Sequence, residues 1–245
     1  MKPYSNSSGP SESLRLEAVT TCVGFDDILD LTLTENHAHM DTMIIVTSHE
    51  DKRTQMVAQK HGAICVQTDL FHKNGRNFNK GAAINAGMAR FQYRGWRLIH
   101  DADIITPDNF RRLLFNHTHL DEQCIYGCDR FDVIGVNEWR KIKQRGPQSV
   151  HRSFVTTYGG THSARYVDPL RGYVPLGCFQ LYHASCEHSY PYSLGTAAHD
   201  DIMFAEQWPQ SQRRLLPTVL CYHLVSHKPT TGENWEGRKS PHLDT

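Results

Sequence analysis

What this sequence of 245 residues lacks narrows its possible roles. No apolar run reaches the roughly 18 uninterrupted residues that a spanning helix needs, so no membrane span is predicted. There is no net charge, because 26 Lys+Arg stand against 26 Asp+Glu, and the whole chain has no general pull toward nucleic acid or an anionic membrane. There is no even set of cysteines. Cys22, Cys65, Cys124, Cys128, Cys178, Cys186 and Cys221 are scattered, several of them inside strand-like runs, which predicts buried thiols in a reducing compartment and not a disulfide frame. There is no internal repeat or heptad array. Residues 1–13 are rich in Ser, Pro and Asn and lack the apolar core of a signal peptide, so they are read as a disordered tail. The expectation is a soluble, cytoplasmic protein, in which the sequons at Asn6 and Asn116 carry no weight.

What is present is a regular alternation of strand-like and helix-like segments, in a chain long enough for one sizeable core. Ala18 to Val23 reads as a buried strand and Asp26 to Asn36 as a helix, with Ile28, Leu29, Leu31 and Leu33 on one side. Met43 to Thr47, Asp51 to His61, Ala63 to Thr68 and Asn79 to Phe91 continue as strand, helix, strand, helix. The order predicts an α/β fold with one mostly parallel sheet and helices on both faces, spanning residues 14–225. It divides into a first half (14–105) and a second half (106–225), and residues 226–245 are read as a lid or tail. Beyond Pro107 the expectation is a helix to about Phe115, a strand from Cys124 to Asp129, loops from Arg140 to Arg171, a strand from Val174 to Tyr182, a helix from Asp200 to Trp208, and a last strand from Leu216 to Val225 broken by Pro217.

The run Trp96 to Ile105 carries the chemistry. An apolar strand ends in Asp101-Ala102-Asp103, and ligands of α/β proteins gather at the carboxyl ends of strands. Two carboxylates at i and i+2 can hold a divalent cation through hard oxygen ligands. Such a cation holds a nucleotide diphosphate and stabilises its departure, which points to group transfer from a nucleotide-activated donor.

Four segments, Thr47 to Thr54, Phe78 to Gly87 with its Asn79-Lys80-Gly81 start, His100 to Asp103, and Gly177-Cys178-Phe179-Gln180-Leu181, together resemble glycosyltransferases of the GT-A fold, family 2 type, in particular a small branch found in phages and bacteria. The likeness runs from about Val19 to Arg238. It implies a UDP-sugar donor, Mn²⁺ or Mg²⁺, and a hydroxyl acceptor. Thr21, Val23 and Thr47 would flank base and ribose, with Asp27 and Asp51 accepting from them, although both aspartates equally suit helix caps. Lys80 would meet the diphosphate at a helix start. Asp103 would be the direct metal ligand, Asp101 a partner to ribose or metal-bound water, and His223 a third ligand, with a buried structural histidine as its plain alternative. His199-Asp200-Asp201 resembles the acidic pair that opens a helix in these enzymes. Asp201 would be the base of an inverting transfer and Asp200 a second carboxylate; both are Asp where Glu-Asp is common, which leaves their roles open. Gly177, Phe179 and Gln180 would wall the acceptor, and Arg238 would close over the diphosphate from the tail.

Other features are weaker. His37-X-His39 and His117-X-His119 sit in polar connectors, and Cys124 and Cys128 lack a matching second pair, so no zinc site is expected. The basic run Trp139 to Arg145, continued by His151-Arg152, is a solvated face or a dock for a phosphate-bearing acceptor such as hydroxymethylated phage DNA or a polyanionic glycan. The competing classes are a nucleotidyltransferase that makes nucleotide sugars, for which Val23-Gly24-Phe25-Asp26 is a poor phosphate loop, and a sugar-binding module without catalysis.

Overall fold

The computed structural model describes residues 14–75, 78–116, 119–146, 163–164, 166–191 and 197–225. The expected tail (1–13), the lid with Arg238, and His117, His151 and Arg152 lie outside them. The chain runs β1 (Leu16–Thr21), α1 (Asp26–Asn36), β2 (Thr42–Thr47), α2 (Lys52–Lys60), β3 (Ile64–Gln67), α3 (Lys80–Met88), β4 (Trp96–His100), β5 (Ile104–Ile105), α4 (Phe110–Phe115), β6 (Ile125–Ile134), α5 (Val136–Arg145), β7 (Ser163–Ala164), β8 (Val167–Asp168), β9 (Gly172–Tyr173), β10 (Phe179–His183), α6 (Ala197–Ala205) and β11 (Arg213–Val225).

The main sheet has the order β3-β2-β1-β4-β10-β6-β11-β5, with β7 beside β6. Strands β3, β2, β1 and β4 are parallel, as expected. Their side chains alternate between two cores. Ala18, Ile45 and Leu98 pack with Leu29, Leu33 and Ala58 of α1 and α2, while Val19, Ile44, Val46 and Ile99 pack with Ala83 and Ile84 of α3. Burial on both faces is why these strands read as continuous apolar runs. Past β4 the sheet is mixed: β10 is antiparallel to both β4 and β6, and β11 is parallel to β6 but antiparallel to β5. β11 begins three residues before the expected Leu216. Its register shifts between Leu216 and Leu220, where Pro217 has no N–H for the ladder.

Two expectations need correction. Residues 140–145, read as loop, belong to α5, whose Trp139 and Ile142 are buried while Arg140, Lys141, Lys143 and Arg145 face water. That few-sided apolar stripe was masked by its basic residues. The strand expected from Val174 starts only at Phe179, because Val174 to Cys178 form the approach to it.

This topology positions the site. The chain leaves β1 to build β2 and β3 on one side and β4 on the other, so a crevice opens at the carboxyl ends of β1 and β4, the usual ligand position in an open α/β sheet. Buried Asn36 at the end of α1 fixes the segment after β4: its amide donates to the Ile104 carbonyl at 2.7 Å, and its carbonyl oxygen accepts from Thr106 N and Oγ1 at 2.9 Å each.

Candidate active site

The Asp101-Ala102-Asp103 turn is held from two sides. Thr32 Oγ1 of α1 donates to the Ala102 carbonyl at 2.7 Å, and Leu224 N of β11 donates to the Asp103 carbonyl at 2.9 Å. A cleft of about 630 Å³, its open mouth included, is lined by Thr21, Cys22, Val23, Phe25, Ile28, Phe78, Lys80, Asp101, Ala102 and Asp103. Thr21, Val23, Lys80, Asp101 and Asp103, all anticipated, therefore share one cleft. Phe25, Ile28 and Phe78 were not anticipated; they give it the flat apolar walls suited to a heterocycle.

Thr47 and Asp51 lie behind this wall. Asp51 caps α2, accepting from Thr54 N at 3.1 Å and Thr54 Oγ1 at 2.6 Å, and it also accepts from Gly24 N at 2.7 Å and from Thr47 Oγ1 at 3.3 Å. Thr47 is fully buried, so both residues shape the loop after β1 from within. Asp27 sits in the first turn of α1.

Asp103 faces His223 of β11, with Oδ2 3.2 Å from Nε2, and the other imidazole nitrogen lies 2.8 Å from Asp132 Oδ1. Asp132 and His223 are direct cross-strand partners in the β6–β11 ladder. Burial opposes charge on His223, but the two carboxylates override it and push its pKa up to about 9. Burial would raise Asp103, and the imidazolium holds it below its ordinary value instead.

The donor set suits a divalent cation. Asp103 Oδ1 is buried and accepts no hydrogen bond from any described residue, so beside the Arg130 charge that already acts on this carboxylate it could still accept from a cation. With Asp132 accepting from Nδ1–H, Nε2 of His223 could ligate a cation that displaces its proton. No set of three His, Cys, Asp or Glu side chains stands in ligand geometry among the described residues. Asp103 and His223 could hold the ion together with substrate phosphate oxygens, the usual arrangement for Mg²⁺ at nucleotide sites.

On the other side of the cleft Lys80 joins the two halves of the chain. Its Nζ lies 2.7 Å from Asp101 Oδ1 and 3.2 Å from Asp201 Oδ1, and only 4% of the residue is exposed. The ammonium expected at a diphosphate is thus committed to two carboxylates, which raise its pKa against the effect of burial. Asp201 also accepts from the Tyr190 hydroxyl. Burial is the main cause of its raised pKa and Asp101 adds to it, while Lys80 and Tyr190 pull the other way. Asp200 is buried beside it.

Gly177 belongs to this arrangement by having no side chain: a Cβ there would lie 2.1 Å from the Asp201 carboxylate. The other two residues expected to wall the acceptor do not face it. Phe179 is buried edge-on against Phe110, its ring centroid 5.7 Å away. Gln180, wholly buried, donates to the carbonyls of Pro175 at 3.0 Å and Asp201 at 2.9 Å, so it fixes the backbone of α6. Tyr190, Asn85 and Asp132 were missed, since each reaches the site through a loop contact or a cross-strand register that no local pattern signals. Of the histidine pairs, His37 and His39 form a short turn after α1, and the cysteines are all free.

No protein-family model and no curated protein sequence matches this chain. Solved structures do match. Glucosyl-3-phosphoglycerate synthase from Mycobacterium tuberculosis, solved with Mn²⁺ and UDP-glucose, aligns at TM-score 0.52 with 11% identity, covering 86% of this chain and 70% of that one. A mycobacterial protein aligns at TM-score 0.52 with 12% identity, covering 94% and 75%. Mannosyl-3-phosphoglycerate synthase from Rubrobacter xylanophilus aligns at TM-score 0.37 with 21% identity, covering 48% of this chain and only 41% of that one. The fold is that of GT-A-like glycosyltransferases. Among the described residues no helix is long and apolar enough to cross a membrane.

Proposed function

We propose that this protein is a metal-dependent glycosyltransferase that moves a sugar from a UDP-sugar to a hydroxyl acceptor with inversion. The observation that carries the reading is that Lys80 joins two acidic centres from distant parts of the chain: Asp101 at the cleft, next to Asp103 whose buried oxygen is unpartnered beside His223, and buried Asp201 of α6. The solved neighbours with Mn²⁺ and UDP-glucose support it at the level of the fold.

In this reading Phe25, Ile28 and Phe78 hold the base, and Thr21 and Val23 line the path of the ribose. Asp103 and His223 would hold Mn²⁺ or Mg²⁺, which would supply positive charge toward the diphosphate. Asp101 faces ribose or metal-bound water. Asp201 takes the proton of the acceptor hydroxyl as that oxygen bonds to the anomeric carbon, and the pair of electrons of the breaking bond leaves on the β-phosphate. A carboxylate whose pKa is raised by burial is a stronger base than a solvated one, while Lys80 and Tyr190 favour its ionised form. Asp200 backs the same helix start. The exposed Arg140, Lys141 and Arg145 of α5 favour a polyanionic acceptor, modified phage DNA or an acidic glycan, with the enzyme working in the cytoplasm.

The deciding experiment incubates the protein with UDP-glucose, with and without Mn²⁺. Slow release of UDP that requires the metal supports a transferase. Release of pyrophosphate from UTP and a sugar phosphate shows a nucleotidyltransferase, and binding without any release shows a sugar-binding module.

A further inference from the structure

Asp201 is held in place from outside its own helix, by a chain of contacts that begins on α3. The side-chain amide of Asn85 pairs with both polar groups of the Tyr190 backbone: Nδ2 donates to the Tyr190 carbonyl at 2.7 Å, and Oδ1 accepts from Tyr190 N at 2.8 Å. One turn earlier on the same helix, Gly81 lets Pro191 come close; a Cβ there would lie 2.0 Å from the Pro191 carbonyl oxygen. Asn79 caps the helix by accepting from Ala82 N at 3.2 Å. The Tyr190 ring is fully buried, stacked on Phe204 of α6 with centroids 4.6 Å apart, and its hydroxyl points at Asp201 Oδ1.

Asn79, Lys80, Gly81 and Asn85 thus all serve the acceptor side: a cap, a counter-ion, a close approach and a backbone clamp. A two-point clamp on a loop residue fixes its ring direction far better than packing alone, since it removes both the sliding and the rotation of the peptide. We infer that Tyr190, clamped by Asn85, is the positioning residue that holds the Asp201 carboxylate toward the acceptor hydroxyl and stabilises its ionised form. The inference rests on the reading of Asp201 as the base. The charged and titratable groups facing Asp201 are Lys80 of α3, Asp101 after β4, Tyr190, and the flanking Asp200 and Cys178. Of these only Lys80 and Tyr190 favour its ionised form through direct hydrogen bonds.

Two measurements on the full chain test this. With tyrosine labelled at Cζ, the resonance that vanishes in Tyr190→Phe should move in Asp201→Asn and in Asn85→Ala; a resonance unmoved in both overturns the clamp. With UDP-glucose and Mn²⁺, water serving as acceptor, Tyr190→Phe should lower kcat for UDP release about 10- to 100-fold. KM for UDP-glucose should stay within about twofold, and the acid limb of the kcat profile should move to higher pH, because the hydrogen bond that favoured the carboxylate is gone. An unchanged kcat and acid limb overturns the inference alone. A wild-type protein that neither binds Mn²⁺ with UDP nor releases UDP overturns the reading of the site, and the positioning role with it.

Discussion

The two acidic centres of this site are built in opposite ways. The Asp101-Ala102-Asp103 turn is partly open, with side chains 36% and 29% exposed, and it keeps one buried oxygen without a donor. Asp201 is 11% exposed, and its oxygens are already engaged by Lys80 and Tyr190. A carboxylate whose acceptor sites are filled by its own protein needs nothing from outside to be stable, whereas one with an empty site at a cleft is set up to gain a cation. In the proposed reading the first of these receives charge and the second exchanges a proton. Lys80 touches both.

The sharpest way to break the comparison is to remove the Asp201 charge while keeping its shape. Asp201→Asn is expected to lower metal-dependent UDP release by roughly 10²- to 10⁴-fold and to leave Mn²⁺-dependent UDP binding intact. Steady-state assays beside calorimetry check both halves. Next comes Lys80→Met, which leaves buried Asp201 without its counter-ion and should cost roughly 3–5 kcal/mol of stability, read by urea unfolding. If the protein unfolded at the parent midpoint, the bridge between the two acidic centres would carry no weight. Gly177→Ala is a milder test: its methyl meets the Asp201 carboxylate, so a loss of roughly 1–3 kcal/mol is expected, together with impaired UDP release but normal UDP binding.

The smallest effect belongs to a pair far from the cleft. Burial would raise the pKa of Asp41, but Arg111, the Leu16 N–H and Arg15 hold it below its ordinary value. A carboxylate with a depressed folded pKa contributes stability above its unfolded value of about 3.9 and loses it as the pH falls through the folded one. Asp41→Asn should therefore destabilise at neutral pH and converge with the parent in acid. Thermal unfolding from pH 7 to pH 2 checks the sign.

The same contrast explains what the sequence disclosed. Strands β1 to β4 and helices α1 to α3 were legible to within a few residues because each is a short apolar or amphipathic run between polar connectors. The Asp101 turn was legible because its residues are neighbours in sequence. The surroundings of Asp201 were not. Lys80 lies 121 positions away and Asn85 acts through the peptide of Tyr190, so no spacing rule links them. Phe179 and Gln180 look like site residues beside Gly177, yet in a strand covered on both faces each points into the fold. Asp132 meets His223 only through the register of β6 on β11.

The proposed binding of a divalent cation at Asp103 and His223 together with the donor is open to calorimetric titration of UDP into the protein with Mn²⁺, in the parent and in Asp103→Ala. Binding in the parent should disappear on removal of the metal and in the variant. Equal UDP affinity in the parent and the variant, with or without Mn²⁺, would rule the metal site out.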